Sequence, residues 1–320
     1  MADFLAHLRD PVLYAIPVFL LFVAVEIVAV HVLGHDDDVV GYRPADTRTS
    51  MLMGAVALGV NALFRLVMLV VFAVLFELAP VKFDPRDWWT WALMLLGQEL
   101  VFYAYHRASH RVRLLWAGHQ VHHSSEHYNF STALRQKWTP YFQLPFWSVL
   151  ALCGIPPWMI LTGLSIDLVY QFFVHTEKVR KLPRWFEYVF NTPSHHRVHH
   201  GSDAEYLDAN YGGILIVWDR LFRSFVPEGK RPTYGLTTNI DTHNLLKVGF
   251  HEYGSILRDL RGAQGWRDRV GYVVGPPGWS PRHELADEPG EPGRRGRVVR
   301  AAADHEQRTG PVEGHAVARQ

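Results

Sequence analysis

Residues 51–79 read MLMGAVALGVNALFRLVMLVVFAVLFELA, an apolar run interrupted by Asn61 and Arg65. About 20 apolar residues suffice to carry a helix across a bilayer, so this run alone points to an integral membrane protein. Three further runs agree with it. Val12 to Leu33 is of spanning length, with Glu26 and His31 its strongly polar members. Trp88 to Tyr105 opens with Trp88, Trp89 and Trp91, aromatics expected at a headgroup boundary. Tyr141 to Val174 is apolar on both sides of Gly154-Ile155-Pro156-Pro157, which reads as the turn of a bent hairpin. Residues 1–10 lack the basic start of a signal peptide and no small-residue cleavage site follows, so the first run is read as a span.

The expected fold is all-α: a bundle of about four spans, one of them a bent hairpin, under a histidine-rich cap. Arg43 and Arg48, then Arg107, Arg111, Arg113, Arg135 and Lys137, then Lys178, Arg180, Lys181 and Arg184 lie on the side of the cap. The other side holds little beyond Arg9, Lys82 and Arg86, so the basic bias predicts a cytoplasmic cap. Arg65 inside the second run is expected to snorkel or to face the bundle interior. The domain is drawn over residues 1–274. Residues 275–320 are rich in Pro, Gly, Arg and Glu and are expected to form a disordered tail.

The 320 residues have a formal net charge of +1 and no basic stripe interleaved with aromatics, which argues against nucleic-acid binding. One cysteine, Cys153, excludes an internal disulfide and a thiolate cluster. The nineteen histidines supply the alternative. They fall into His106-x3-His110, His119-x2-His122-His123 and His196-x2-His199-His200, with His195 beside the last and His175 alone between. Residues three or four apart share a helix face, so each box can aim its rings at a common point. Eight box imidazoles exceed what one tetrahedral ion can use, and the count argues for two metals. The boxes lie where spans end, close to any lipid in the bilayer. Oxidising a lipid C–H bond calls for a redox metal with oxygen, so iron is favoured over zinc.

Leu115 to Glu126, Asn129 to Gln136, Tyr170 to Glu177, Asn191 to Gly201 and Asn210 to Phe222 carry a resemblance. Over residues 50–226 the chain resembles the membrane fatty acid hydroxylase/sterol desaturase superfamily, and within it the alkylglycerol monooxygenase branch with its bacterial relatives. The resemblance implies a di-iron, dioxygen-dependent hydroxylase or desaturase of lipids held in the bilayer. Its implied ligands are His106, His110, His119, His122, His123, His196, His199 and His200, with His175 as the additional ligand such proteins draw from between the last two boxes. No catalytic residue is expected beyond these ligands. Electrons would come from tetrahydrobiopterin or from an external electron-transfer partner. In the ether-lipid enzymes an acidic residue follows the first box; here Arg111 stands there, which counts against carrying over the ether-cleaving, pterin-dependent activity.

His195 is expected to orient a neighbour rather than bind metal. Glu126, Glu177 and Asp219 are carboxylates able to accept from ligand imidazoles, or equally interfacial groups paired elsewhere. Trp138, Trp147 and Trp158 are read as interface anchors, and His31, His35 and His127 as incidental. The Asp36-Asp37-Asp38 run is read as a solvated loop. Rival functions are a sterol, carotenoid or fatty acyl desaturase or hydroxylase, a zinc-dependent membrane hydrolase and a metal transporter. The hydrolase lacks an H-E-x-x-H base among its ligands, and a transporter would place its ligands near mid-span.

Overall fold

The computed structural model describes residues 10–31 and 39–281. His35, Asp36 to Asp38 and residues 282–320 of the expected tail lie outside the described residues. Helices α1 (Pro11–His31), α2 (Pro44–Leu78) and α3 (Trp88–Arg111) come first, then α4 (Arg113–His123) and the single turn α5 (Phe130–Ala133). After a 3-10 turn at Pro140–Gln143 follow α6 (Leu144–Leu152) and α7 (Pro157–Val174). The cap continues with the short helices α8 (Arg184–Val189), α9 (Pro193–His199) and α10 (Val217–Leu221). It ends with α11 (Leu245–Gly262) and α12 (Trp266–Val274). Among the described residues all regular elements are helical.

Three helices, α1, α2 and α7, are long and apolar enough to cross a membrane, and the protein is a multi-pass membrane protein. Three of the four apolar runs supply these helices, the 141–174 run contributing α7, and the fourth, 88–105, behaves differently. Residues 88–105 do form a continuous helix, but α3 buries Gln98, Glu99 and two histidines among its neighbours. The hairpin is unequal: α6 has 9 residues and α7 has 18. Gly154 makes the turn between them at φ +90°, where a Cβ would come within 2.0 Å of the Val81 carbonyl oxygen. Only glycine suits both demands.

The bundle is assembled by α1 packing on α7, and α2 and α3 both packing on α6 and α7. Its core gathers Met68 and Phe72 of α2, Met94 of α3, Trp147 of α6 and Met159 and Ile160 of α7. The outward residues of α2 are also apolar, with Leu63, Leu66, Val70 and Leu78 all more than half exposed. An apolar core with an apolar exterior is the pattern of a helix bundle solvated by lipid. At 35 residues α2 is about 52 Å long, well beyond the ~30 Å hydrocarbon core. Its extra turns are at the N-terminus, where Asp46, Thr49 and Ser50 are buried in the cap.

One sequence reading is narrowed here and another changes. Arg65 faces the bundle interior, pairing with Asp10 and donating to Ser165 Oγ at 2.8 Å, so the span carries its charge neutralised. Trp147 is 1% exposed and donates to Gln98 Oε1 at 2.8 Å, a core residue rather than an interface anchor. Trp138 and Trp158 are half-buried: the first donates to the Met53 carbonyl, the second packs edge-on against Trp91. The chain remains packed past 275, since Arg113 N donates to Gly275 O and Trp279 lies against Tyr272.

Candidate metal centre

Nine imidazoles converge in the cap, all buried, in two groups. The first contains His106, His110, His119, His123 and His199; the second contains His122, His175, His196 and His200. Within each, one ligand atom per residue lies within 4.8 Å of the others. Helical periodicity explains the sorting. Positions i and i+4 share a face and i+3 turns to one side. The box on α4 therefore sends His119 and His123 to the first group and His122 to the second. The box on α9 does the reverse, sending His196 and His200 to the second and His199 to the first. Box one on α3 completes the first group, and His175, at the end of α7, completes the second.

The groups share a wall. His123 and His200 stack with ring centroids 4.4 Å apart, and His196 and His199 stack at 5.2 Å. Around them His175 faces Tyr128, which stacks on Tyr234, while Trp116 covers His110 and His123.

Backbone carbonyls fix the tautomers. His122 Nδ1 donates to Arg135 O at 3.2 Å and His175 Nδ1 to Gln171 O at 2.6 Å. In the first group His106 Nδ1 donates to Tyr211 O at 2.8 Å and His199 Nδ1 to Ala209 O at 3.0 Å. A carbonyl only accepts, so each ring carries its proton on Nδ1 and a lone pair on Nε2. The Nε2 atoms of His122 and His175 then face each other at 3.1 Å, lone pair against lone pair. Two such acceptors repel unless a cation lies between them. Ligands bound at about 2.1 Å and at right angles lie about 3.0 Å apart, so this spacing is that of neighbours on one ion. His106 and His119 repeat it at 2.9 Å, and His110 Nε2, His199 Nε2 and His200 Nε2 are buried without a hydrogen-bond partner.

Burial keeps the rings neutral and able to ligate. It pushes His199 down to about 4 and His175 to about 3, against an ordinary 6.5. Burial, reinforced by neighbouring imidazoles, holds His119, His122, His123, His196 and His200 well below that value too. Among the described residues no carboxylate belongs to either group. The donor set is purely imidazole, which suits iron, zinc or copper.

The other expected site residues act at a distance or elsewhere. Asp219 accepts from Tyr211 N at 2.8 Å and Gly212 N at 2.7 Å, so it fixes the loop whose carbonyl orients His106. Burial raises it to about 6, against hydrogen bonds that oppose the rise. Glu177 is buried but binds Val40 N, Arg231 and Tyr234 rather than an imidazole. Glu126 is exposed. His195 is in neither group; its ring lies against Phe225 and its carbonyl accepts from Asn210. His127 and His31 are also in neither.

Several supporting residues were not foreseen. Glu99 accepts from Ile214 N and Leu215 N, and Asn191 donates to the carbonyls of Gly212 and Gly213, clamping the same loop from below. Gly213 allows the approach: a Cβ there would lie 2.3 Å from Asp167 Oδ1. Arg135, whose carbonyl holds His122, is 2% exposed and paired with Asp46 of α2 at 2.5 Å. Arg197 of the third box bridges Glu228 and the carbonyls of Thr176 and Val179, tying α9 to the segment bearing His175. Asp219 and the Asn210-Tyr211-Gly212-Gly213 turn were visible as motifs; the carbonyl partners, being backbone, leave no sequence signal.

Fold and site together define a helical membrane protein whose cap is built to bind metal through buried histidines. Comparison with known proteins agrees. Residues 91–224 match the family described as fatty acid hydroxylase. The chain is similar to alkylglycerol monooxygenase of Danio rerio, 46% identical over 194 residues that make up 60% of this chain and 43% of that protein. It is similar to alkylglycerol monooxygenase of Homo sapiens at 38% identity, covering 87% of this chain and 62% of the relative. The Caenorhabditis elegans protein of the same name is 34% identical, with 82% and 54% covered. The chain thus spans between 43% and 62% of the length of these relatives. No solved structure matches.

Proposed function

We propose that the protein is a dioxygen-dependent monooxygenase that uses two irons to hydroxylate a C–H bond of a membrane lipid, an alkylglycerol-type ether lipid being the first candidate. The observation that carries this reading is the pair of adjoining imidazole groups at the cap end of the apolar helices. The names of the relatives support the reaction type. Arg111, in place of an acidic residue after the first box, leaves other lipids of the same superfamily chemistry as the second candidate.

The first group would hold one ion with His106, His110, His119, His123 and His199, and the second the other with His122, His175, His196 and His200. Two irons bound there supply oxidation of an unactivated C–H bond by dioxygen, chemistry that no side chain of the site supplies alone. The balance is a lipid C–H, one dioxygen, two electrons and two protons giving a C–OH and water. The protein's part is preorganisation. Neutral imidazoles present lone pairs without first losing protons. Carbonyls of Tyr211, Ala209, Arg135 and Gln171 hold the rings against rotation. Burial of all nine rings excludes bulk water from the centre.

The two electrons come from outside the chain, through tetrahydrobiopterin or an electron-transfer protein, since one cysteine provides no iron–sulfur cluster. The basic bias of the loops supports a cytoplasmic cap, where such reductants are found. The test is lipid mass spectrometry of membranes holding the protein under 18O-labelled dioxygen. One 18O should enter a single lipid class and vanish with His122→Ala. Turnover without oxygen by a zinc-loaded protein would overturn the reading in favour of a hydrolase.

A further inference from the structure

Helices α11 and α12 play no part in the centre, and their surface is unusual for a region outside the spans. Leu246, Phe250 and Leu257 are 65%, 42% and 55% exposed. At about 100° per residue these three fall within about 40° of one another on α11, forming one row. Arg261, Lys247 and Arg258 occupy the flank beside that row and are exposed. Val248 lies opposite that row and Ile256 to one side of it, and both are buried. On α12, Trp266, Val270 and Val274 form a second exposed apolar row, at 72%, 48% and 54%, with Arg267 and Arg269 exposed beside it.

The charges are sorted as well. The two acidic residues of α11 are turned inward: Glu252 and Asp259 each bind the buried Arg113 of α4 at 2.6 Å. Five basic residues, Lys247, Arg258, Arg261, Arg267 and Arg269, are left on the outer surface against Asp268, which is half-buried. The hairpin therefore shows apolar rows and a positive rim, with the two acidic groups of α11 held in internal ion pairs.

Its level in the molecule is set by contacts with α2. Val248 packs with Met53 of α2 and Val121 of α4. Phe250 lies 6.0 Å from Trp138, whose indole donates to the Met53 carbonyl. Met53 is next to Leu52, 41% exposed and the first of the lipid-facing residues of α2. The apolar row of α11 thus continues sideways from the place where the lipid-facing surface of the bundle begins.

We propose that α11 and α12 form an interfacial anchor that lies in the surface of an anionic phospholipid bilayer, its apolar rows at the acyl boundary and its arginines among the phosphates. Amphipathic helices with a basic polar face and Trp, Phe and Leu opposite bind membranes in this way. The anchor would hold the cap, through α4 and its histidine box, down against the leaflet. It stands whether or not the centre oxidises lipid.

The test uses the full chain carrying Cys153→Ala, with one spin label placed at Leu257→Cys or Val270→Cys and reconstituted in phosphatidylcholine vesicles containing phosphatidylglycerol. All these sites are exposed, so labelling removes no buried contact. Accessibility to oxygen relative to a water-soluble nickel chelate should be roughly threefold or more above that of a label at Lys230→Cys, and should approach that of Val70→Cys in the lipid-facing row. The ratio should fall without phosphatidylglycerol, in high salt, and in a variant with Arg258, Arg261, Arg267 and Arg269 all changed to Gln. A ratio equal to that at Lys230→Cys overturns the proposal. So does spin–spin broadening between copies at a low ratio, which would assign the rows to self-association. Insertion indifferent to phosphatidylglycerol and salt overturns its anionic component.

Discussion

At the scale of single residues, the centre depends on which ring nitrogen carries the proton. His175 shows it best: Nδ1 is committed to Gln171 O, and Nε2 lies 3.1 Å from both His122 Nε2 and His196 Nε2. His175→Ala removes one of the four donors of the second group. Bound metal, measured by elemental analysis after purification, should drop by about half as that group empties. The affinity loss should exceed the roughly 10–100-fold that follows loss of an outer hydrogen-bond partner. His127→Ala, outside both groups, should retain metal near the unaltered level; equal contents in the two variants would remove His175 from the ligand set. Spacing alone made the eight box histidines legible, because a helix turns i and i+4 to one side. It could not reveal how boxes two and three divide between two groups, which depends on how α4 and α9 face each other. Nor could it reveal the orienting carbonyls, since Tyr211 and Ala209 lie about a hundred residues from His106 and ten from His199 in a loop without regular structure.

At the scale of elements, hydropathy located the helices well and their ends poorly. The expected span at 51–79 begins seven residues earlier, at Pro44, because the first turns of α2 belong to the cap and carry buried polar groups that a hydropathy reading discounts. The expected hairpin appeared, but with a short first arm, since α6 leans on α2 and α3 instead of crossing alone. Arg65 was the misfit of the pattern, and its partner Asp10 lies before α1, too far along the chain to be paired by inspection. The two side chains are 21% and 19% exposed, so the pair is only partly shielded. Arg65→Met should therefore cost roughly 2 kcal/mol, less than the ~3–5 kcal/mol for breaking a fully buried pair, by leaving Asp10 unmatched. Arg65→Met with Asp10→Leu should recover much of that loss. Unfolding midpoints in mixed micelles across the two single variants and the double would check it; strictly additive losses would show that the pair does not interact.

At the scale of the whole molecule, the lipid-solvated bundle supports a cap whose interior is filled by imidazoles instead of hydrocarbon. Nine buried rings with converging lone pairs make a poor core without metal, so removing metal should weaken the folded state itself. The dependence on pH has a definite sign. His199 is lowered to about 4 and His175 to about 3, both from 6.5. Below about 6.5 the unfolded chain takes up protons that the metal-stripped fold refuses, so stability is whole above that pH and is lost as pH falls toward the folded values. Each such histidine adds a slope of up to about 1.4 kcal/mol per pH unit in that window. Thermal midpoints of chelator-treated protein should thus be level at about pH 8 and fall steeply between about pH 6.5 and about pH 5. The metal-loaded protein should stay level further into acid, because bound metal competes with the protons for the same lone pairs. A stripped protein as stable at about pH 5 as at about pH 8 would mean that the rings are already protonated or solvated, and the convergent, dry arrangement of the cap would be refuted.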